Sequence, residues 1–243
     1  MAQRADLLLV ERGLFESRAK ARAAIEAGLV KVDGVAIKKP SEPVPKDASI
    51  DATSPHPWVS RAGLKLVGGL DHFAINPQGR ISMDVGSSTG GFTQVLLSRG
   101  AEKVYAVDVG RDQLHASLRA DPRVMVMEST DARSLTRELV PDAPSLIVCD
   151  ASFISLRLVL PVPLSLACDG ADLIALIKPQ FEAGPERVKK GIVRDATVHD
   201  DVCATIRAFI ETQGWQVSGI TPSPIEGGDG NREFLLHAKK VQS

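Results

Sequence analysis

From residue 80 onward, short apolar runs alternate with longer segments of helical length. The runs are Ile81–Val85, Val104–Val107, Val124–Met127, Leu146–Cys149 and Leu173–Ile177. Separated by helix-length segments, they predict parallel strands covered by helices. Thr197–Gln213 places Val198, Val202, Ile206, Phe209 and Ile210 on one stripe, which predicts an amphipathic helix. Trp215–Ile220 and Arg232–Ala238 alternate like two closing strands, joined by Pro222–Asn231. The pattern predicts an α/β domain over residues 60–243, with a doubly wound sheet of seven strands.

The first fifty residues read differently. Arg4–Arg12 has helical spacing, with Leu7, Val10 and Leu14 as its stripe and Gly13 closing it. Ser17 is the expected N-cap of a second helix, Arg18–Ala27, which ends at Gly28. Leu29–Val32 and Val35–Ile37 flank Asp33-Gly34, a strong hairpin signal. Prolines 40, 43, 45, 55 and 57 mark a boundary, so residues 1–50 are expected to form a small α+β domain and 51–59 a linker.

Within the second region lies the most informative stretch, Asp84-Val85-Gly86-Ser87-Ser88-Thr89-Gly90-Gly91-Phe92-Thr93. It follows Arg80–Met83, a short β-like entry, and leads into Thr93–Arg99, which reads as a helix. A strand, a glycine-rich turn and a helix start let a ligand approach bare backbone at the carboxyl end of a parallel sheet. The dinucleotide pattern G-x-G-x-x-G is broken at its second glycine, and Phe92 stands where a phosphate-binding P-loop needs lysine. Two acids remain: Asp84 on the strand before the glycines, and Asp108 at the end of Lys103–Val107. They suit a ligand with an ammonium group and a ribose, and S-adenosylmethionine (SAM) has both. Asp84, Gly86, Ser87, Thr89, Gly90, Gly91, Phe92, Asp108 and Asp131 are the expected cofactor residues.

Four charged residues stand where the crevice of such a sheet opens. Asp150 ends the fourth strand, Lys178 ends the fifth, Glu233 begins the last, and Lys65 lies on a helix before the first. Asp150 and Lys178 each close a wholly apolar run, an unusual place for a charge. The set resembles the Lys-Asp-Lys-Glu tetrad of FtsJ-type RNA ribose 2′-O-methyltransferases. Arg4-Ala5-Asp6-Leu7, Ser17–Ala21 and Gly28–Gly34 together resemble an S4 RNA-binding domain. The whole chain resembles the TlyA family, often labelled hemolysin A, most specifically in Val59–Leu66, Asp84–Thr93, Lys178–Glu182, Lys190–Asp195 and Gly230–Phe234. The irregular Ile225–Asp229 is its one departure. This resemblance implies a seven-stranded SAM-dependent methyltransferase fold with an N-terminal S4 domain, acting on ribosomal RNA. A cytidine in the large-subunit RNA is the expected target. Lys178, desolvated at the crevice floor, would take the hydroxyl proton as a neutral amine, oriented by Asp150. Lys65 and Glu233 would position the ribose.

Charge refines the partner. The net charge is −1, so RNA affinity must come from a local patch. Residues 12–39 hold seven Lys/Arg against three acids, a surplus of four. Arg18, Lys20, Arg22 and Lys31 there, with Arg4 before them and Lys189, Lys190 and Arg194 after the fifth strand, are the expected RNA contacts. Cys149, Cys168 and Cys203 are widely spaced and form no metal cluster, so no metal is expected. The N-terminus lacks a long apolar core and Leu158–Cys168 is broken by two prolines, so neither secretion nor a membrane span is expected. A cytoplasmic monomer bound to ribosomal RNA or a ribosomal subunit is the resulting expectation. A cytolytic hemolysin, a catalytically inactive S4-type RNA-binding protein and a pseudouridine synthase are the alternatives. The first lacks an amphipathic β or long apolar segment, the second is disfavoured by the intact tetrad, and the third does not need the glycine turn.

Overall fold

The computed structural model describes residues 2–227 and 230–242, so Gly228 and Asp229 of the irregular segment lie outside the described residues. The chain divides into two compact units, residues 1–57 and 58–243.

In the first unit, β1 (Ala2–Arg4) leads directly into α1 (Ala5–Glu11), and α2 (Arg18–Glu26) follows. Ser17 caps α2 by accepting from the Lys20 backbone N–H at 3.3 Å. β2 (Val30–Val32) and β3 (Val35–Ala36) form the hairpin around Asp33-Gly34, both residues left-handed at φ 49° and 80° as a two-residue turn of this kind requires. β4 (Pro43–Pro45) pairs antiparallel with β1, and β5 (Ile50–Ala52) pairs with β2. Three details depart from the pattern reading. Arg4 belongs to β1, because it pairs with Pro43. The buried stripe of α1 is Ala5, Leu8 and Leu9, one step from the expected Leu7–Val10–Leu14, and Leu14 is exposed. Asp51 and Ala52, expected in the linker, complete the three-stranded sheet.

The second unit opens with α3 (Ala62–His72), then β6 (Ile81–Val85), α4 (Gly91–Ser98), β7 (Lys103–Val107), α5 (Ala116–Arg119) and β8 (Val124–Met127). The chain then crosses to β9 (Leu146–Cys149), α6 (Leu156–Val159), α7 (Pro161–Leu166), β10 (Asp172–Ile177) and α8 (Pro179–Glu182). It closes with α9 (Ala196–Thr212), β11 (Trp215–Pro222) and β12 (Phe234–Lys240). The strand order is β11-β12-β10-β9-β6-β7-β8. Six strands share one direction, and β12 alone runs antiparallel, between β10 and β11.

Alternation along the central strands feeds two cores. Leu173, Ala175 and Ile177 of β10 join Trp215 and the α9 stripe on one face, whereas Ile174 and Leu176 join Leu66, Leu70, Phe92 and Leu96 of α3 and α4 on the other. The connection reverses direction between β6 and β9. That switch point is where a doubly wound sheet leaves a crevice beyond its strand ends.

The opposite edge is fastened by charge. Asp172, at the start of β10, accepts from Arg80 Nη1 at 2.8 Å and pairs with His237 Nε2 at 2.9 Å. Burial opposes its charge, but the hydrogen bonds from His237 and Arg80 outweigh it and hold the carboxyl below its ordinary range. Asp172→Ala strands the Arg80 guanidinium and takes the acceptor from His237, and breaking such a partly buried pair is expected to lower unfolding stability by about 3 kcal/mol in urea titration. A change below about 0.5 kcal/mol would show that the cluster adds nothing.

A candidate active site at the switch point

The turn after β6 is built from left-handed backbone: Gly86, Ser88 and Gly90 have φ of 84°, 47° and 96°. Gly86 has no room for a side chain, since a Cβ there would stand 2.9 Å from Ala151 Cα in the segment following β9. Asp108, just beyond β7, fixes the turn by accepting from Ser88 N at 2.8 Å and Gly110 N at 2.7 Å. α4 begins at Gly91, two residues earlier than its apolar pattern indicates.

Two clefts meet at this turn. One, of about 600 Å³, is lined by Gly86, Ser88, Asp108, Val109, Gln113, Asp131 and Ala151 among others. Asp131 caps the short 3₁₀ turn Ala132–Ser134 and pairs with Arg133 Nη2 at 2.6 Å, whose hydrogen bond holds its carboxyl below the usual range. The other cleft, of about 540 Å³, is lined by Lys65, Ser87, Thr89, Gly91, Phe92, Lys178 and Glu233, with Gly86, Ser88, Asp150, Ser152 and Phe153 common to both.

The four charges form two ion pairs on the second cleft. Lys65 Nζ lies 2.6 Å from Glu233 Oε2, and both side chains are nearly fully buried. Lys178 Nζ lies 2.7 Å from Asp150 Oδ1, donates to Ser152 Oγ at 2.7 Å, and reaches the Asp150 carbonyl at 3.2 Å. Asp150, Lys178 and Glu233 each sit one residue outside the strands expected to hold them: β9 ends at Cys149, β10 at Ile177, and β12 starts at Phe234. There the ladder no longer fixes the side chain to a sheet face, so it turns into the crevice.

Two expected cofactor residues line neither cleft. Asp84 is fully buried and its Oδ2 accepts from Thr93 Oγ1 at 2.7 Å, which ties β6 to α4 instead of meeting an ammonium group. Gly90 also stands back from the clefts, where a Cβ would meet Leu114 and Leu118; its absent side chain serves packing.

Several lining residues carry no charge and so escaped the reading by charge and glycine pattern: Ser152, Phe153, Gln180, Phe181 and Asn231. Phe153 is 91% exposed, left-handed at φ 64°, with its ring 5.1 Å from that of Phe181. An exposed phenyl held in costly backbone is the kind of feature that marks a binding surface. Glu128 also escaped notice. It accepts from the backbone N–H groups of Asp112, Gln113 and Leu114 and pairs with Arg119, whose hydrogen bond leads in holding its carboxyl at about 2. Ser87 Oγ and Gln180 Oε1 are buried with no hydrogen-bond partner, and Asp150 Oδ1 is matched only by its ion pair with Lys178.

In the first unit, Arg4, Asp6, Arg18, Arg22 and Ser41 line a cleft of about 540 Å³. Buried Asp6 accepts from both Arg4 and Arg18 and is held at about 2, chiefly by the Arg4 hydrogen bond. The two guanidinium groups remain about half exposed or more. Arg22 pairs with Glu26. Lys20 pairs with Glu16, and Lys31 stands exposed on β2; neither lines this cleft. In the second unit, Lys189 bridges to Ile192 across a turn with Lys190 and Gly191 left-handed. Lys189, Lys190 and Arg194 are exposed, and Gly191 lines the Lys178 cleft.

A seven-stranded sheet with one antiparallel strand, a glycine turn and a crevice at its switch point defines a Rossmann-like methyltransferase, here joined to a small RNA-binding type of module. Comparison with known proteins gives the particular family. The FtsJ-like methyltransferase family matches residues 58–240 and the S4 domain residues 3–50. The chain is 45% identical to the 16S/23S rRNA (cytidine-2′-O)-methyltransferase TlyA of Mycobacterium tuberculosis, over 97% of this chain and 90% of that one. It is 49% identical to a Bacillus subtilis protein named as a candidate rRNA methyltransferase, over 97% and 85%. A solved structure from Streptococcus thermophilus that carries a hemolysin name is 42% identical, with a TM-score of 0.80 over 100% of this chain and 90% of that one. The chain belongs to the FtsJ-like methyltransferase family, in the S4-bearing group that includes TlyA.

Burial pushes Asp84 up to about 7; the Thr93 hydrogen bonds oppose this and the Asp150 charge adds to it. The folded state therefore holds this proton where the unfolded chain, at the ordinary aspartate value of 3.8, has released it. Stability is expected to fall as pH rises across that window. Asp84→Asn should flatten this slope in pH-dependent melts; an unchanged slope would assign it to another group.

Proposed function

We propose that this chain transfers the methyl group of SAM to the ribose 2′-hydroxyl of a cytidine in ribosomal RNA, with the large-subunit RNA as its substrate. The observation that carries this reading is the Lys178–Asp150 pair set within hydrogen-bonding reach of Ser152, beside the buried Lys65–Glu233 pair, on a cleft continuous with the glycine turn.

The Asp108 cleft fits SAM on this chain's own features. Gly86 lines it with bare backbone, Ser87 beside it on the adjoining cleft presents an unpartnered buried hydroxyl, and Asp108 and Asp131 give one wall carboxylates with lone pairs to spare for ribose and adenine groups. When bound there, SAM supplies a methyl already activated on a sulfonium. The protein must then align a hydroxyl and remove one proton. Alignment alone is worth on the order of 7–11 kcal/mol. Lys178 as neutral amine takes the proton at Nζ, Asp150 orients it, and Lys65 with Glu233 holds the ribose. Phe153, exposed at the mouth, offers a flat apolar face to an unstacked base.

Arg4, Arg18 and Arg22 supply phosphate contacts in the S4 unit, with Lys189, Lys190 and Arg194 gripping the strand at the cleft mouth. The protein acts in the cytoplasm, as a monomer. Among the described residues no helix is long and apolar enough to cross a membrane, and no cluster of His, Cys, Asp or Glu is built to hold a metal.

Lys178→Ala is expected to lower turnover by about 10²–10⁴-fold while leaving SAM affinity, read by calorimetry, within about twofold. Lys178→Arg should not restore activity, because a guanidinium stays protonated. An active arginine variant would reduce Lys178 to a fixed charge. Replacing Arg18 and Arg22 with alanine should weaken RNA binding and lower its salt slope by about one to two. Full affinity in that variant would remove the S4 cleft from the RNA interface.

A further inference from the structure

In the first unit two guanidinium groups share one buried carboxylate. Arg4 donates from Nε to Asp6 Oδ1 at 3.0 Å and from Nη2 to Oδ2 at 3.1 Å. Arg18 donates from both Nε and Nη2 to that same Oδ2, at 3.2 and 3.0 Å. Each arginine thus spends its Nε side on the carboxylate. Its Nη1 has no hydrogen-bond partner among the described residues, and Nη2 keeps a second proton. That outer edge is the one that takes two oxygens of a phosphate at once. One carboxylate between two guanidinium groups also leaves a positive charge unanswered, on a cleft that both arginines line. We propose that Asp6 is a positioning residue for RNA: it turns Arg4 and Arg18 so that their free edges receive a single backbone phosphate in this cleft. This rests on the RNA-binding reading above.

The carboxylate stands on a rigid base. The Asp6 N–H donates to the Pro40 carbonyl at 3.0 Å, and the Ala5 N–H to that of Glu42 at 2.8 Å. Arg4 is paired with Pro43 between β1 and β4, and Arg18 opens α2 directly behind its Ser17 cap. The Asp6 side chain is only 5% exposed, whereas those of Arg4 and Arg18 are 48% and 60% exposed. An arginine that open to water and held by nothing samples many rotamers, which RNA would have to freeze on binding. Asp6 freezes them beforehand.

Two effects of Asp6 oppose each other. Its negative charge repels a phosphate, and its hydrogen bonds order two cations for that phosphate. Repulsion is weak, because two guanidinium groups already neutralise the carboxylate. Ordering therefore outweighs it, and this fixes the sign of the effect.

The test uses the full chain and unmodified large-subunit ribosomal RNA, with binding measured over a series of salt concentrations. Asp6→Asn keeps the shape but leaves one acceptor oxygen for two forks. Its affinity at fixed salt should fall about tenfold, the worth of two ordered side chains. The slope of log K against log salt should become shallower by about one, the share of one phosphate. An interface that only counts charge gives the opposite, since removing an anion raises affinity and steepens the slope. Arg4→Lys and Arg18→Lys keep the charge and change exposed side chains; each should weaken binding about threefold, because an ammonium has no second edge to offer. SAM affinity, set in the second unit, should stay within about twofold in all three variants. Thermal melts of the full chain check that Asp6→Asn folds; if it does not, the lysine variants decide alone. Equal or tighter binding in a folded Asp6→Asn, or lysine variants that bind like the unaltered protein, overturns the positioning role. If the unaltered protein binds no ribosomal RNA, the RNA-binding reading falls and this role with it; if it binds and the variants bind equally well, that reading stands and the role of Asp6 alone is wrong.

Discussion

Two lysine ammonium groups line one cleft, and the arrangement is tolerable only because each is matched to a carboxylate. An unpaired buried charge costs several kcal/mol, more than most single interactions in a domain return. Lys65 meets Glu233 at 2.6 Å and Lys178 meets Asp150 at 2.7 Å, so the floor is polar yet close to neutral. The pairs also set direction. Each joins residues far apart in the chain, and the fold has to bring α3, β9, β10 and the start of β12 together to form them.

The sheet does this through its topology. β9 and β10 are adjacent and parallel, so the residues just past their ends, Asp150 and Lys178, emerge side by side. β12 runs antiparallel beside β10, which brings the residue before its start, Glu233, to the same end. The opposite edge holds the Arg80–Asp172–His237 cluster, where a second buried carboxylate ties strands β10 and β12 near their other ends. One edge of the sheet is thus fastened by charge for stability, and the other spends its charge on the cleft.

Much of this was legible in the sequence. The seven strands follow from apolar runs bounded by turns, and the tetrad from charges placed directly after such runs. Element ends were less legible, because Asp150, Lys178 and Glu233 look like strand residues until the pairing shows where the ladder stops. Asp84 and Gly90 stand back from both clefts for one reason: pattern shows that a carboxylate or glycine is needed near the turn, but not whether it faces the cleft or the neighbouring helix. Thr93 and Leu118 decide that, and both are distant from the ligand side. Ser152 and Phe153 left no periodic or charge signal, since their roles come from contacts between α8 and the loop after β9.

The account stands or falls on what the cleft makes. Purified protein incubated with unmodified ribosomal RNA and methyl-labelled SAM, followed by digestion to nucleosides, identifies the product directly. The label is predicted in 2′-O-methylcytidine, recovered from large-subunit RNA. Label in a base-methylated nucleoside, or none in RNA while SAM binds, would contradict the chemistry assigned to Lys178 and Asp150.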